Sequence, residues 1–170
     1  AKKYGILLVA DEVQSGMGLT GKIWPFQQPG MIPDIFAFGK KTQVCGIMVS
    51  ERVREAKDNV FEISSRINST WGGNLTDMVR CRRYLEIIDE EKLVENAASE
   101  GKRLLDGLRS VSASTGDKIS NVRGRGLMCA FDLPITDTRN DFLSGLRENG
   151  TMALPCGATT ARFRPPLNVS

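Results

Sequence analysis

Residues 6–10, Ile6-Leu7-Leu8-Val9-Ala10, form a continuous apolar run near the start of this 170-residue chain. An apolar run without polar alternation is typical of a strand that is buried on both faces of a parallel sheet. Such a strand needs neighbours, and shorter apolar runs follow at residues 35–38 and 46–49. The three runs predict buried strands of an α/β fold.

Helical and extended segments alternate along the rest of the chain, as they do in α/β proteins. In chain order, we predict a short helix at 51–59, an irregular loop at 60–74, helices at 75–90 and 91–111, a strand at 126–133, a helix at 139–148, a strand at 151–154 and an extended segment at 160–163. Apolar residues at helical spacing predict the core-facing sides of the two long helices: Leu75, Met78, Val79, Tyr84, Leu85 and Ile88 in the first, and Leu93, Ala97, Leu104, Leu105 and Leu108 in the second.

The composition argues against several classes of protein. With 41% hydrophobic and 25% charged residues, the chain is close to the globular average and unlike disordered, collagen-like or disulfide-scaffold proteins. A net charge of +3 is too small to indicate a nucleic-acid partner. No apolar run approaches the roughly 20 residues that a membrane span requires, so we expect no membrane partner.

The chain contains no histidine, which excludes Ser-His-Asp and Cys-His catalytic groups and histidine metal ligands. The four cysteines, Cys45, Cys81, Cys129 and Cys156, form no Cys-x-x-Cys pair, so no zinc or iron site is predicted. We interpret them as buried free thiols in a reducing compartment, and we expect a cytoplasmic location.

Residues 16–21 (Gly-Met-Gly-Leu-Thr-Gly) match the Gly-x-Gly-x-x-Gly spacing of dinucleotide-binding loops. Such a loop must follow its strand directly and open a helix. Here residues 11–15 intervene, and Pro25 and Pro29 oppose a helix because proline removes a backbone donor. We therefore interpret the segment as a glycine-rich surface loop.

Asp11 and Lys40 each follow a predicted strand. Because the carboxyl ends of parallel strands meet at the sheet edge where α/β proteins bind ligands, we expect both side chains at one pocket. Their spacing alone also fits a salt bridge or two solvated side chains. Pyridoxal phosphate chemistry requires a lysine that attacks a carbonyl, activated here by the neighbouring charge of Lys41, and an acid that keeps a pyridine nitrogen protonated.

Three segments carry a family resemblance. They are residues 11–22 (Asp-Glu-Val-Gln-Ser-Gly-Met-Gly-Leu-Thr-Gly-Lys), 33–40 (Pro-Asp-Ile-Phe-Ala-Phe-Gly-Lys) and 69–74 (Ser-Thr-Trp-Gly-Gly-Asn). In order and spacing they resemble the class III pyridoxal-phosphate aminotransferases, and the resemblance covers essentially the whole chain.

The resemblance implies the α/β fold of the fold type I aminotransferases. Residues 1–95 would form the C-terminal half of the large cofactor-binding domain, and residues 96–170 a truncated small C-terminal domain. We expect the chain to be a fragment, because the family also carries an N-terminal phosphate loop and a C-terminal helix.

Three site residues near the predicted sheet follow from the resemblance. Lys40, rather than Lys41, would hold pyridoxal 5'-phosphate covalently and act as the catalytic lysine. Asp11 would contact the pyridine nitrogen. Gln14 would contact the phenolic oxygen of the cofactor and the substrate.

The resemblance assigns three further contacts. Ser69 and Thr70 would bind the cofactor phosphate, with Thr70 reaching the cofactor of the neighbouring subunit in a homodimer. Arg162 would bind the substrate carboxylate, because its planar fork allows two parallel hydrogen bonds. Taken without the family, the first pair also fits an ordinary turn, and Arg162 also fits a surface side chain.

Within the class, residues 39–46, 121–131 and 162–167 are similar to members that act on L-lysine. This similarity implies transfer of the ε-amino group of L-lysine to 2-oxoglutarate, which gives 2-aminoadipate 6-semialdehyde and L-glutamate. Two alternatives stay open: an aminotransferase acting on ornithine, 4-aminobutyrate or diaminobutyrate, or a non-catalytic folding or interaction unit.

Overall fold

The chain divides into two units. The computed structural model describes residues 1–67 and 70–170. Residues 1–17 and 22–91 form the first unit, and residues 18–21 and 92–170 form the second. The assignment of residues 1–95 to a large cofactor domain and of residues 96–170 to a small domain stays a prediction.

The first unit contains a three-stranded sheet. Its strands are β1 (Val9–Asp11), β2 (Ile35–Phe38) and β3 (Gly46–Val49), with β1 parallel to β2 and β2 antiparallel to β3. The strands predicted at 35–38 and 46–49 are confirmed, but they are half-buried rather than buried, and Met48 is 51% exposed. Short 3-10 helical turns lie at Lys2–Tyr4, Pro25–Gln27, Lys40–Thr42 and Glu51–Glu55, the last being shorter than the helix predicted there.

The apolar run at 6–10 differs from its prediction. Only Val9–Asp11 forms a strand, and Ile6 and Val9 are 58% and 60% exposed rather than buried on both faces. Strand β1 lies at the edge of the sheet, with β2 as its one hydrogen-bonded neighbour among the described strands. Burial on both faces requires covering elements, which an apolar sequence does not itself supply.

The Asp34 carboxylate fixes the amino-terminal end of the parallel pair. It accepts hydrogen bonds from the backbone N–H of Leu8 at 2.8 Å, from Arg52 Nη1 at 3.0 Å and from the Ser50 hydroxyl at 3.4 Å. The Leu8 N–H and the charge of Arg52 hold the pKa of Asp34 below its ordinary value, although desolvation opposes them. The Asp34 carboxylate, just before β2, thereby holds Leu8 before β1 and both Ser50 and Arg52 after β3.

Two long helices follow one another in the sequence. Helix α1 (Leu75–Glu90) begins at the predicted residue, where the Asn74 side chain accepts the backbone N–H groups of Thr76 and Asp77. Helix α2 (Leu93–Thr115) is longer than predicted and is separated from α1 by Lys92, which has a left-handed backbone with φ 52°. None of the helices in the described ranges is long and apolar enough to cross a membrane.

The core-facing side of α1 is predicted wrongly in part. Ile88 is buried, but Leu75 and Val79 are 78% and 69% exposed, and Met78, Tyr84 and Leu85 are exposed as well. At about 3.6 residues per turn, Ile88 lies on the side of the helix opposite to Leu75 and Val79. The apolar residues of α1 therefore do not share one face.

The second unit contains a four-stranded antiparallel sheet with the order β4-β5-β7-β6. Its strands are β4 (Ser120–Arg125), β5 (Met128–Asp132), β6 (Leu154–Cys156) and β7 (Thr160–Phe163). Strand β5 and the extended segment at 160–163 are confirmed, whereas β4 lies outside the predicted strand and β6 begins later than predicted. A 3-10 turn at Gly116–Lys118 precedes β4, and helix α3 spans Thr136–Glu148.

Two small clusters form the core of this unit. One joins Leu19, Ala97 and Leu127, and the other joins Phe131, Leu133 and Ala161. In α2, Ala97 is buried and the other four predicted core residues are half-buried, so that prediction is confirmed. The first cluster requires α2, which carries Ala97, to lie close to the turn between β4 and β5, which carries Leu127.

Glycine permits that close approach. A Cβ at Gly101 of α2 would lie 2.0 Å from the carbonyl carbon of Gly126, a distance that excludes any side chain. Gly126 has φ +52°, and a Cβ there would lie 2.5 Å from the carbonyl carbon of Thr20. The segment 18–21 is bound to the turn between β4 and β5, because the Leu127 N–H donates to the Leu19 carbonyl at 2.9 Å.

We predict that Gly101→Ala destabilises the second unit, because the new methyl group must push α2 away from backbone atoms. The expected cost is at least about 2 kcal/mol. Gly107→Ala in the same helix is the matched control, since nothing lies within 4 Å of its Cβ position. The control should be neutral or stabilising by up to about 1 kcal/mol. Thermal unfolding of both variants in the full-length protein measures the difference, and equal melting temperatures would contradict the close contact.

Candidate active site

Asp11 and Lys40 lie at the same edge of the first sheet. Asp11 is the last residue of β1 and pairs in register with Ala37 of β2, and Lys40 follows shortly after β2 ends at Phe38. Because β1 and β2 are parallel, both carboxyl ends meet at this edge. The structure therefore places Asp11 and Lys40 at one edge of the sheet, and their roles in a site stay a prediction.

Lys40 has an unusual backbone. It begins the turn Lys40–Thr42 with φ 55°, in the left-handed region that costs a residue with a side chain about 1–2 kcal/mol. Its carbonyl accepts the Gln43 N–H at 2.9 Å, and its side chain is exposed. Strained residues of this kind cluster at functional sites.

Lys40 and Lys41 have different surroundings. The Nζ of Lys41 donates to the carbonyl of Gln14 at 2.6 Å, and Lys41 is half-buried whereas Lys40 is exposed. Both lysines lie in the 3-10 turn Lys40–Thr42. The assignment of Lys40 rather than Lys41 as the catalytic lysine stays a prediction.

The residues after Asp11 form a tight turn. An oxygen of the Asp11 carboxylate accepts the Val13 N–H at 3.1 Å, which holds the chain close to the end of β1. Gln14 is half-buried at the end of this turn, and its carbonyl receives Lys41. Asp11, Gln14 and the Lys40 turn are thus neighbours in the structure.

Glu12 is a site residue that the sequence argument missed. Its side chain is buried, and its two carboxylate oxygens accept the Phe26 N–H and the Ser15 hydroxyl, each at 3.0 Å. Since side chains alternate along a strand, the exposed Asp11 required Glu12 to point inward, and this signal was available in the sequence. Glu12 fixes the loop that leaves the candidate site.

Aromatic packing holds the same loop. The ring centroids of Trp24 and Phe26 lie 5.0 Å and 5.2 Å from that of Phe36 on β2. A Cβ at Gly16 would lie 2.5 Å from the Trp24 ring, so the first glycine of the 16–21 segment serves packing. The loop continues into the short turn Pro25–Gln27 rather than an α-helix. Residues 16–20 are buried, so the interpretation of this segment as a surface loop is wrong.

Of the two predicted phosphate contacts, Ser69 and Thr70, the structure describes only Thr70. Ser69 lies outside the described residues. Thr70 is exposed in a turn that precedes α1. Its exposed hydroxyl is suited to a phosphate oxygen or to a neighbouring chain, and its role stays a prediction.

Arg162 belongs to the second unit. It lies on β7 between Ala130 of β5 and Leu154 of β6, and it is half-buried. It lines a cavity of about 640 Å³ together with Arg103, Phe163, Arg164 and other residues of that unit. Glu100 also lines the cavity and forms an ion pair with Arg103 at 3.0 Å. The planar guanidinium of Arg162 on a central strand is suited to a carboxylate ligand.

The thiols differ from one another. All four cysteines are free, as predicted, but Cys45 and Cys156 are exposed, so the expectation of burial is wrong for these two. Cys129 is buried in the second unit, and burial raises its pKa to about 11. A thiol with that pKa is almost entirely protonated near neutral pH, so Cys129 is a packing residue rather than a nucleophile.

The residues at the sheet edge fit pyridoxal phosphate. An exposed primary amine, a carboxylate at the end of the neighbouring parallel strand and the nearby Gln14 supply a nucleophile for the aldehyde, an acceptor for the ring N–H and a polar contact. Thr70 would add a hydroxyl group for a phosphate contact.

Comparisons with known proteins agree with this chemistry. The family described as aminotransferase class-III matches residues 1–170. The chain is 54% identical over 168 residues to the L-lysine-epsilon aminotransferase of Mycobacterium tuberculosis, covering 99% of this chain and 37% of that protein. It is 52% identical to the L-lysine-epsilon aminotransferase of Streptomyces clavuligerus, covering 96% of this chain and 36% of that protein. It is 37% identical to the mitochondrial 4-aminobutyrate aminotransferase of Homo sapiens, covering 98% of this chain and 33% of that protein.

Solved structures agree as well. The lysine aminotransferase of M. tuberculosis matches with a TM-score of 0.93 at 54% identity, covering 99% of this chain and 39% of that chain. The ornithine delta-aminotransferase of Plasmodium falciparum matches with a TM-score of 0.82 at 31% identity, covering 99% of this chain and 44% of that chain. The chain thus spans well under half the length of these relatives.

We predict that Glu12→Ala loosens the loop, because the Phe26 N–H loses its buried acceptor. The expected loss of stability is about 1–3 kcal/mol. Glu12→Gln is the matched control, since it keeps an acceptor oxygen of the same reach. Hydrogen exchange of the Phe26 amide in the full-length protein should accelerate in Glu12→Ala and much less in Glu12→Gln. Unchanged protection in Glu12→Ala would contradict the proposed role of the carboxylate.

Proposed function

Because the chain belongs to the class III aminotransferases, we propose that it carries part of the active site of an enzyme that transfers the ε-amino group of L-lysine to 2-oxoglutarate. The products are 2-aminoadipate 6-semialdehyde and L-glutamate, and the cofactor is pyridoxal 5'-phosphate. The observation that carries this proposal is the pairing of Asp11 and Lys40 at one sheet edge in a chain of this family.

Lys40 is the proposed nucleophile and proton carrier. Its exposed Nζ would hold the cofactor by condensing with its aldehyde, with loss of water, and the free amine would carry a proton to and from the substrate carbon. The chain has no histidine to serve as that base. The left-handed backbone sets the direction in which the side chain leaves the end of β2.

Asp11 is the proposed partner of the cofactor ring. Its carboxylate would hold a proton on the pyridine nitrogen, and its own orientation is fixed by the Val13 N–H. Bound pyridoxal phosphate supplies an electron-withdrawing ring that stabilises negative charge on the substrate carbon. Gln14 would contact the phenolic oxygen and the substrate from the same turn.

Thr70, with Ser69, is the proposed phosphate contact across a homodimer. The support is the exposure of Thr70 in a turn and the match of residues 69–74 to the family motif. Arg162 is the proposed site for the substrate carboxylate, supported by its place on the wall of a cavity with several cations. Residues 1–95 belong to the large domain in this proposal, and residues 96–170 to the small domain.

L-Lysine is favoured over other ω-amines by the relatives. Identity is 54% and 52% to lysine-acting relatives, against 37% to a 4-aminobutyrate aminotransferase and 31% to an ornithine aminotransferase. A different ω-amine is the second candidate, because the motifs around Asp11 and Lys40 do not select the donor. The free thiols support a reducing compartment, and we propose the cytoplasm.

We predict that Lys40→Ala in the full-length protein abolishes transamination of L-lysine, with a loss of at least about a thousandfold, because nucleophile and base are removed together. Lys57→Ala, an exposed lysine of the same unit, is the charge-matched control and should keep its activity. Borohydride reduction followed by peptide mapping should place the cofactor on Lys40. Label on Lys41, or turnover in Lys40→Ala, would overturn the assignment.

We predict that Arg162→Lys raises the Michaelis constants for both L-lysine and 2-oxoglutarate, because a point charge replaces a two-bond fork. The expected loss of kcat/KM is roughly ten- to a hundredfold, or about 1.5–3 kcal/mol. The absorbance of the bound cofactor should not change, and Arg109→Lys on the exposed side of α2 is the control. Unchanged constants for both substrates would remove Arg162 from the site.

A further inference from the structure

We propose that Lys41 is a positioning residue, whose ammonium group holds the turn that presents Lys40 against the turn that presents Gln14. The observation is the 2.6 Å hydrogen bond from Lys41 Nζ to the Gln14 carbonyl. The consequence for catalysis rests on the proposed function, whereas the contact itself does not.

Three contacts join the segment that follows β1 to the segment that follows β2, and the hydrogen bond from Lys41 to Gln14 is the last of them along the chain. First, the Glu12 N–H donates to the Ala37 carbonyl at 3.0 Å and extends the ladder by one step. Next, the buried Gly39 lies against Val13, since a Cβ on it would be 3.4 Å from Val13 Cγ1. The Lys41 hydrogen bond then continues the pairing where backbone ladder bonds have ended.

Lys40 lies between the contact of Gly39 with Val13 and the hydrogen bond of Lys41 to Gln14. Gly39 before it is enclosed by Val13 and Cys45, whose Sγ would be 3.1 Å from a Cβ at that position. Lys41 after it is anchored on Gln14. A left-handed residue persists when its surroundings fix the backbone on both sides, so release of Lys41 allows Lys40 to relax and turn its amine away.

A charge effect is the competing explanation, because Lys41 carries a positive charge next to Lys40 in the sequence. The two roles differ in what they change. Positioning changes the protection of backbone amides in both turns, and an arginine at 41 that reaches the same carbonyl restores it. A charge effect changes the pH dependence of the bound cofactor and leaves amide protection as it was.

The experiment compares Lys41→Met, Lys41→Arg and Lys57→Met in the full-length protein, the last being an exposed lysine that matches the charge change. Hydrogen exchange is followed for the amides of Gly16 and Gln43, which donate to Glu12 and Lys40 within the two turns. Exchange is measured with and without pyridoxal phosphate. Turnover of L-lysine and the pH titration of cofactor absorbance are measured on the loaded enzyme.

We expect Lys41→Met to speed exchange of both amides by about tenfold and to lower kcat by a similar factor, without moving the pH titration. Lys41→Arg should restore both quantities, and Lys57→Met should match the parent. Exchange and kcat equal to those of Lys57→Met would overturn the proposal. A shifted titration with unchanged exchange would overturn it in favour of a charge effect.

The outcome also separates this proposal from the proposed function. If Lys41→Met loosens both turns in a protein that fails to transaminate any amine, the tie is supported and the proposed function fails. If the parent transaminates L-lysine but the turns are unaffected, the proposed function stands and the role of Lys41 is refuted.

Discussion

The parallel pairing of β1 with β2 is the interaction on which the candidate site depends. It brings Asp11 and the Lys40 turn to one edge of the sheet. The pair is secured at its amino-terminal end by the Asp34 carboxylate and its Leu8 N–H donor, and beyond its carboxyl end by the Glu12 N–H and Lys41. A short strand at a sheet edge is weakly specified by itself, so these side-chain ties fix its position.

Local sequence was sufficient for features that local physics determines. Asn74 caps a helix that begins at the predicted residue, and the apolar runs at 35–38 and 46–49 are strands. The burial of residues 6–10 and of the apolar residues of α1 could not be predicted, because burial depends on which distant elements cover a face. The site residues Asp11 and Lys40 were found by their place after strands, whereas Glu12 required attention to side-chain alternation.

Backbone conformation was the second feature that the sequence did not predict. The left-handed φ of Lys40 is not encoded by the residue itself, because lysine disfavours that region, and it follows from contacts of Gly39 and Lys41 with another turn. The contact of Gly101 with Gly126 likewise joins two glycines that are distant in the sequence. Family resemblance supplied roles for Gln14, Thr70 and Arg162 that spacing alone left open.

The segment 18–21 has a consequence for how the chain reaches its native state. These residues are flanked on both sides by the first unit, yet Leu19 completes a core of the second unit with Ala97 and Leu127. During synthesis Leu19 leaves the ribosome before Ala97 and Leu127. This core therefore cannot form until the chain has been made as far as residue 127. The second unit is therefore not a continuous polypeptide, and a gene cut near residue 92 would yield a piece without one of its own core residues.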